Sequence, residues 1–167
     1  IVDVLSQYVD VFHGVGNAYR DRANPEIFRY TFPEVVATNR IVDVNDYDEL
    51  NFAFMLGYSF DFEVRGGKGS LGLCPEFAAY VKKLCQLREK LKEFLIYGTY
   101  IDDTGFSIDP TEVLAKAFTT EKGSAIVIWN PAKETKKVSV LNVKEGQIHD
   151  INGKVEEFTG ELTLNPK

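Results

Sequence analysis

An α/β segment followed by an all-β domain is the fold class that this sequence predicts, and three features carry the expectation. Residues 27–97 read as strand, helix, strand, helix, the order of parallel strands joined by right-handed crossovers. Within them, residues 74–97 repeat apolar side chains at helical spacing, as one long amphipathic helix does. Beyond Gly98 only strand-like runs occur, separated by turn signals. The expected domains are therefore 1–98, an α/β segment, and 99–167, a small antiparallel β-sandwich.

The start of the chain carries Val4, Leu5, Tyr8, Val9 and Phe12 at spacings that fit a helix capped by Asp3. Residues 17–24, polar and followed by Pro25, predict a loop. Residues 27–32 (IFRYTF) are β-branched and aromatic and end at Pro33, which predicts a strand. Residues 34–45 predict an irregular connection. Asp46 then opens a helix as its N-cap, with Glu49 placed as capping-box partner. Leu50, Phe52, Ala53, Phe54, Met55 and Leu56 make that helix apolar nearly all round, so it is expected to be buried until Gly57 stops it. Tyr58–Glu63 alternates aromatic and polar residues as a second strand, and Arg65–Ser70 is a Gly-rich loop.

In the long helix Phe77, Leu84, Leu87, Leu91 and Leu95 share one stripe. Pro75 suits its first turn and Gly98 its stop, giving a length of about 33 Å at about 1.5 Å per residue. Residues 98–110 predict a linker or hairpin. Strands are expected over 112–119, 124–130, 135–143, 147–151, 155–158 and 161–164. Asn152-Gly153 favours a tight two-residue hairpin between two of them. Ile126, Val127, Ile128 and Trp129 are apolar on both faces, as in a central strand. A sandwich of about 65 residues is small to stand alone and is expected to lean on the preceding helix.

The totals narrow the function. The 167 residues are 44% hydrophobic and 26% charged, ordinary for a globular protein. Residues 1–98 carry 11 Lys/Arg and 14 Asp/Glu and residues 99–167 carry 8 and 11, so each part holds a net −3 of the total −6. With no basic face, neither nucleic acid nor an anionic membrane is an expected partner. No apolar run approaches the ~20 residues that span a bilayer. Cys74 and Cys85, about 16 Å apart on one helix, cannot form a disulfide and read as free buried thiols. Nothing in the pattern specifies a compartment or an oligomeric state.

Parallel sheets place their active sites at the C-terminal ends of strands. The polar residues expected there are Thr31, Glu34, Asn39 and Arg40 after the first strand, and Asp61, Glu63 and Arg65 at the second. Carboxylates on neighbouring strand ends are what glycoside hydrolysis needs, one to protonate the leaving oxygen and one to attack or to activate water. Each has an ordinary reading too. Glu34 suits a solvated loop, Asp61 and Glu63 suit ion pairs with Arg65 or Arg29, and Asp3 suits a helix cap. His13 and His149 lie far apart in sequence without triad partners, and the Gly66–Gly69 run lacks a phosphate-loop pattern. No cofactor or metal is required.

The order of parts resembles the C-terminal end of bacterial (β/α)8-barrel glycoside hydrolases. The resemblance is carried by the run Tyr30-Thr31-Phe32-Pro33-Glu34, a buried helix, the strand Tyr58–Glu63, and a long helix leading into VLAKAFTTEKGSAIVIWNP and VSVLNVKEGQIHDINGKVEEFTGELTLNP. It implies the last two βα units of a barrel, a C-terminal β-sandwich and a carbohydrate substrate. It implies Glu34 as nucleophile or general base at the end of a seventh strand. In galactosidase-like enzymes earlier strands supply the carboxylates, which would bring Asp3 forward. Asp61, Glu63 and Thr31 become substrate contacts and Arg65 their orienter. A complete barrel needs roughly 200 residues or more, so the missing N-terminal barrel portion is the implied partner and this chain alone is expected to show little catalysis. The alternative is a non-catalytic structural or carbohydrate- or protein-binding module. Trp129 reads as core, which disfavours a sugar-stacking platform.

Overall fold

A computed structural model of the chain describes residues 8–16, 19, 24–63 and 70–166. The chain divides into two compact units, Ile1–Ala79 and Tyr80–Lys167. The first holds β1 (Val11–Gly16), α1 (Pro25–Thr31), β2 (Val36–Ile41), α2 (Tyr47–Met55) and β3 (Ser59–Phe62). Its strands form one parallel sheet in the order β1-β2-β3.

The parallel direction agrees with the expectation, but the strands that realise it differ. Residues 27–32 are not a strand; they fall almost wholly within α1. Pro25 presets the first turn and Glu26 suits its positive end. Phe28 then packs edge-on against Phe12 of β1, with ring centroids 6.2 Å apart. Tertiary packing has overridden local β-propensity. The expected irregular stretch supplies β2, in which Ala37, Asn39 and Ile41 alternate inward. A buried asparagine in that row hides the period-two signal. The opening residues, read as a helix through Phe12, form β1 from Val11; the proposed Asp3 cap lies outside the described residues.

Helix α2 follows the sequence closely. The Asp46 carboxylate accepts the Glu49 N–H at 3.3 Å, and Leu50, Ala53, Met55 and Leu56 have no exposure to solvent. Only half of the expected capping box forms: the Asp46 N–H goes to the Asp43 carbonyl at 3.3 Å, and the Glu49 side chain points elsewhere. Asp46→Ala is expected to cost about 1 kcal/mol by urea denaturation; no loss would mean that the cap is redundant. β3 matches its predicted strand within its ends.

The long helix is two. α3 (Pro75–Lys90) ends where Leu91 leaves helical geometry (φ −108, ψ 24), and α4 (Lys92–Leu95) follows. Gly98 ends the helical stretch for a steric reason, since a Cβ there would lie 2.3 Å from the Phe94 carbonyl oxygen. The two units part within α3, ahead of the change from helix to strand at Thr99. The second unit is therefore not purely β, because it keeps most of α3 and all of α4.

Its strands are β4 (Thr99–Asp102), β5 (Ser107–Asp109), β6 (Leu114–Thr120), β7 (Gly123–Trp129), β8 (Lys136–Leu141), β9 (Gly146–His149), β10 (Val155–Phe158) and β11 (Glu161–Leu164). They make small antiparallel sheets ordered β4-β6-β7, β11-β8-β5 and β10-β9. The expected linker thus contains β4 and β5. Phe106, Ala117 and Val140 centre a core to which Ile101, Ile126 and Leu162 add from the different sheets. Trp129 is 7% exposed, as core. The β9–β10 loop is longer than two residues: Asp150 accepts the backbone N–H of both Asn152 and Lys154 at 2.8 Å, spreading the turn around Gly153. Both cysteines are free, but neither is buried as expected: Cys74 is half-buried and Cys85 is exposed. Among the described residues the sheets close no barrel, and no helix is long and apolar enough to cross a membrane.

Candidate functional site

The register of β2 and β3 sets Arg40 beside Asp61 and Thr38 beside Ser59. Side chains alternate across a strand, so these four share one face of the sheet. Ala37, Asn39 and Ile41 go to the other face, where Asn39 meets α2. Arg40 and Asp61 stand next to the last residues of their strands. Glu63 lies just past β3 and extends the ladder, its N–H donating to the Ile41 carbonyl at 3.1 Å. Its side chain accordingly returns to the face of Asp61. Arg40 then ties both carboxylates, with Nε 3.5 Å from an Asp61 oxygen and Nη1 2.9 Å from a Glu63 oxygen. All three side chains are about one-third exposed: 30% for Arg40, 32% for Asp61 and 34% for Glu63. The cluster is wet enough for a ligand to reach and fixed enough to hold a geometry.

The opposite face carries a buried carboxylate with another task. Glu49 has no exposure; it accepts from Asn39 Nδ2 at 2.7 Å and from the Tyr19 N–H at 3.2 and 3.3 Å. These bonds join α2 to β2, so Glu49 positions the strand that carries Arg40.

The remaining expected site residues lie elsewhere. Thr31 ends α1, where its hydroxyl donates to the Ile27 carbonyl at 2.7 Å. Glu34 is exposed in the turn before β2, at that strand's N-terminal end. From Val36 to Arg40 the strand advances about 13 Å at ~3.3 Å per residue, so Thr31 and Glu34 do not join Asp61 and Glu63. The shift follows directly from residues 27–31 being helical. Arg29 secures this turn: Nε donates to the Leu56 carbonyl at 3.2 Å, and Nη1 donates to the Pro33 and Val35 carbonyls on either side of Glu34. Nearby, the Tyr58 hydroxyl donates to the Pro25 carbonyl at 3.1 Å, and burial pushes that phenol well above its ordinary range. Asp3 and Arg65 lie outside the described residues.

Arg40 partners both Asp61 and Glu63; of the partners that sequence reasoning offered, Arg29 turns instead to the carbonyls of Pro33, Val35 and Leu56, and Arg65 lies outside the described residues. Sequence reasoning placed Arg40 at a strand end but after the wrong strand, because the alternating run VATNRI was read as an irregular connection. His13 pairs in register with Thr38, while His149 belongs to the second unit. No group of three or more His, Cys, Asp or Glu among the described residues is placed to hold a metal ion.

No family model, curated protein or solved structure matches this chain. Any functional reading therefore rests on the strand-end cluster. A guanidinium shared by two carboxylates fixes their orientation at the strand ends. Glu34→Gln, by contrast, is expected to change stability by less than about 0.5 kcal/mol and to leave turnover intact. A large loss of turnover in that variant would return Glu34 to the site.

Proposed function

We propose that this chain is the C-terminal portion of a glycoside hydrolase, the end of a (β/α)8 barrel followed by a β-sandwich. The observation that carries the reading is the Arg40–Asp61–Glu63 cluster at the C-terminal ends of parallel strands. Enzymes with parallel strands and helical crossovers bind substrates at those ends.

Asp61 and Glu63 are two positions apart on one face and share one guanidinium. Carboxylates so placed grip one side of a sugar; they do not flank a glycosidic bond from opposite sides. In this reading they contact substrate hydroxyls, Arg40 orients them, and the acid and the nucleophile come from Asp3 or from earlier strands of the barrel. The chain alone then turns over little. Hydrolysis of a panel of nitrophenyl glycosides by the full-length protein tests this. Glu63→Gln is expected to lower kcat/KM by about 10- to 100-fold, the cost of loosening a positioned substrate.

The alternative is a non-catalytic module in which the cluster only ties strand ends. It draws on the same fact, that both carboxylates already hold the guanidinium. Full-length protein without turnover of any glycoside, together with a Tm change in Glu63→Gln, would favour it over hydrolysis.

A further inference from the structure

We propose that the β9–β10 hairpin is a pH-sensitive flap, held on α3 while His149 is neutral and released when the imidazole takes up a proton. The proposal concerns the second unit alone and stands apart from the sugar-cleaving reading. Among the described residues β9 and β10 pair only with each other. A two-stranded hairpin is marginally stable in water and depends on what it packs against. Here two lysines of α3 line up along it. Lys83 and Lys90 are seven residues apart, hence on one side of the helix and about 10 Å from each other. Lys83 Nζ donates to the Asn152 side-chain carbonyl at 2.8 Å, in the turn of the hairpin. Lys90 stands near His149, the last residue of β9.

His149 is half-buried, and its Nδ1 is buried without a hydrogen-bond partner. A neutral imidazole tolerates this by keeping its proton on Nε2, so that only a lone pair is stranded. The imidazolium carries a proton on both nitrogens. Its Nδ1–H would have no acceptor, and its charge would oppose that of Lys90. Burial first, and the Lys90 ammonium second, hold the imidazole below the ordinary histidine range. The remaining charges of the two elements have other partners or positions. The Asp150 carboxylate accepts the N–H groups of Asn152 and Lys154 at 2.8 Å, and Glu156 holds Lys154 at 2.6 Å. Exposed Glu157 is in register with Gln147, whereas the cross-strand neighbour of His149 is Val155. On α3, Glu89 is paired with Lys92 at 2.6 Å, and Arg88 is two residues from Lys90 and so on another side of the helix. The docked hairpin thus disfavours a proton that the released one accepts. Docking is strongest above about pH 6.5, weakens as pH falls below it, and levels off once the docked imidazole is itself protonated.

The test is amide hydrogen exchange of the full-length protein at about pH 7.5 and about pH 5.5, on either side of the ordinary histidine pKa, with rates corrected for their intrinsic pH dependence. Residues 147–158 are expected to lose protection at the lower pH while β6 and β7 keep theirs. His149→Gln, which cannot titrate, should make hairpin protection the same at both. Lys90→Gln should raise the midpoint at which His149 titrates and shrink the loss. No loss, or an equal loss in β6 and β7, overturns the flap. A loss that survives in His149→Gln overturns the role of His149, and an unmoved midpoint in Lys90→Gln overturns that of Lys90. Should His149→Gln fail to fold, the imidazole nitrogen shifts of the native protein decide. A proton on Nε2 at neutral pH, with hairpin amide shifts that follow the His149 titration, is the expected result. A proton on Nδ1, or amide shifts indifferent to that titration, overturns the proposal.

Discussion

Arg29→Ala is expected to destabilise the first unit by about 3 kcal/mol or more, the range for stripping the partner from several buried polar groups. Arg29 is 7% exposed, and its guanidinium supplies donors to the carbonyls of Pro33, Val35 and Leu56. One of those carbonyls closes α2 and the other two bracket the turn into β2. Alanine would leave all three without this donor and open a cavity the size of the side chain. Arg29→Lys keeps the charge but not the planar fork, and should recover only part of the loss. Urea denaturation of each variant measures both effects. A cost below about 1 kcal/mol for alanine would mean that water replaces the guanidinium, and that the turn is held by its backbone alone.

Arg40→Ala is the functional counterpart and should separate activity from stability. The side chain and both its partners are about one-third exposed, so the ion pairs contribute about 0–1 kcal/mol to folding. Their contribution to orientation is expected to be much larger. Without the guanidinium, Asp61 and Glu63 repel one another across a short stretch of β3 and lose the rotamers that present them together. A misplacement of about 1 Å at a binding group can cost 10²-fold in rate, and about that loss in kcat/KM is expected for the full-length protein. Arg40→Lys should rescue little, since a point charge cannot bridge two separated carboxylates as a fork does. Equal losses of Tm and activity in Arg40→Ala would make the cluster a structural tie instead.

These expectations draw on two kinds of information. The cap at Asp46, the apolar helix after it and the alternating Tyr58–Glu63 strand were legible because local pattern and final environment agree. Asp61 and Glu63 were legible as strand-end carboxylates for the same reason. The pairing of Arg40 with them was not. Residues 27–31 have a strand's composition, yet Phe28 packs on Phe12 and Arg29 reaches carbonyls as distant as Leu56. A helix stabilised by contacts that distant in sequence leaves no local period to read.

The sequence by itself determined that helices and strands alternate before Gly98, that short antiparallel strands dominate after it, and that acidic residues close β3. Alternation, capping residues and turn residues act over a few positions, so they survive without a fold. Only the tertiary structure decided that residues 36–41 are the strand beside β3, that Arg40 reaches both Asp61 and Glu63 while Arg29 turns to backbone carbonyls, and that Glu34 stands at the other end of β2. Register between parallel strands is set by packing across the sheet and against its covering helices. Which side chains meet at a strand end is therefore a property of the assembled sheet.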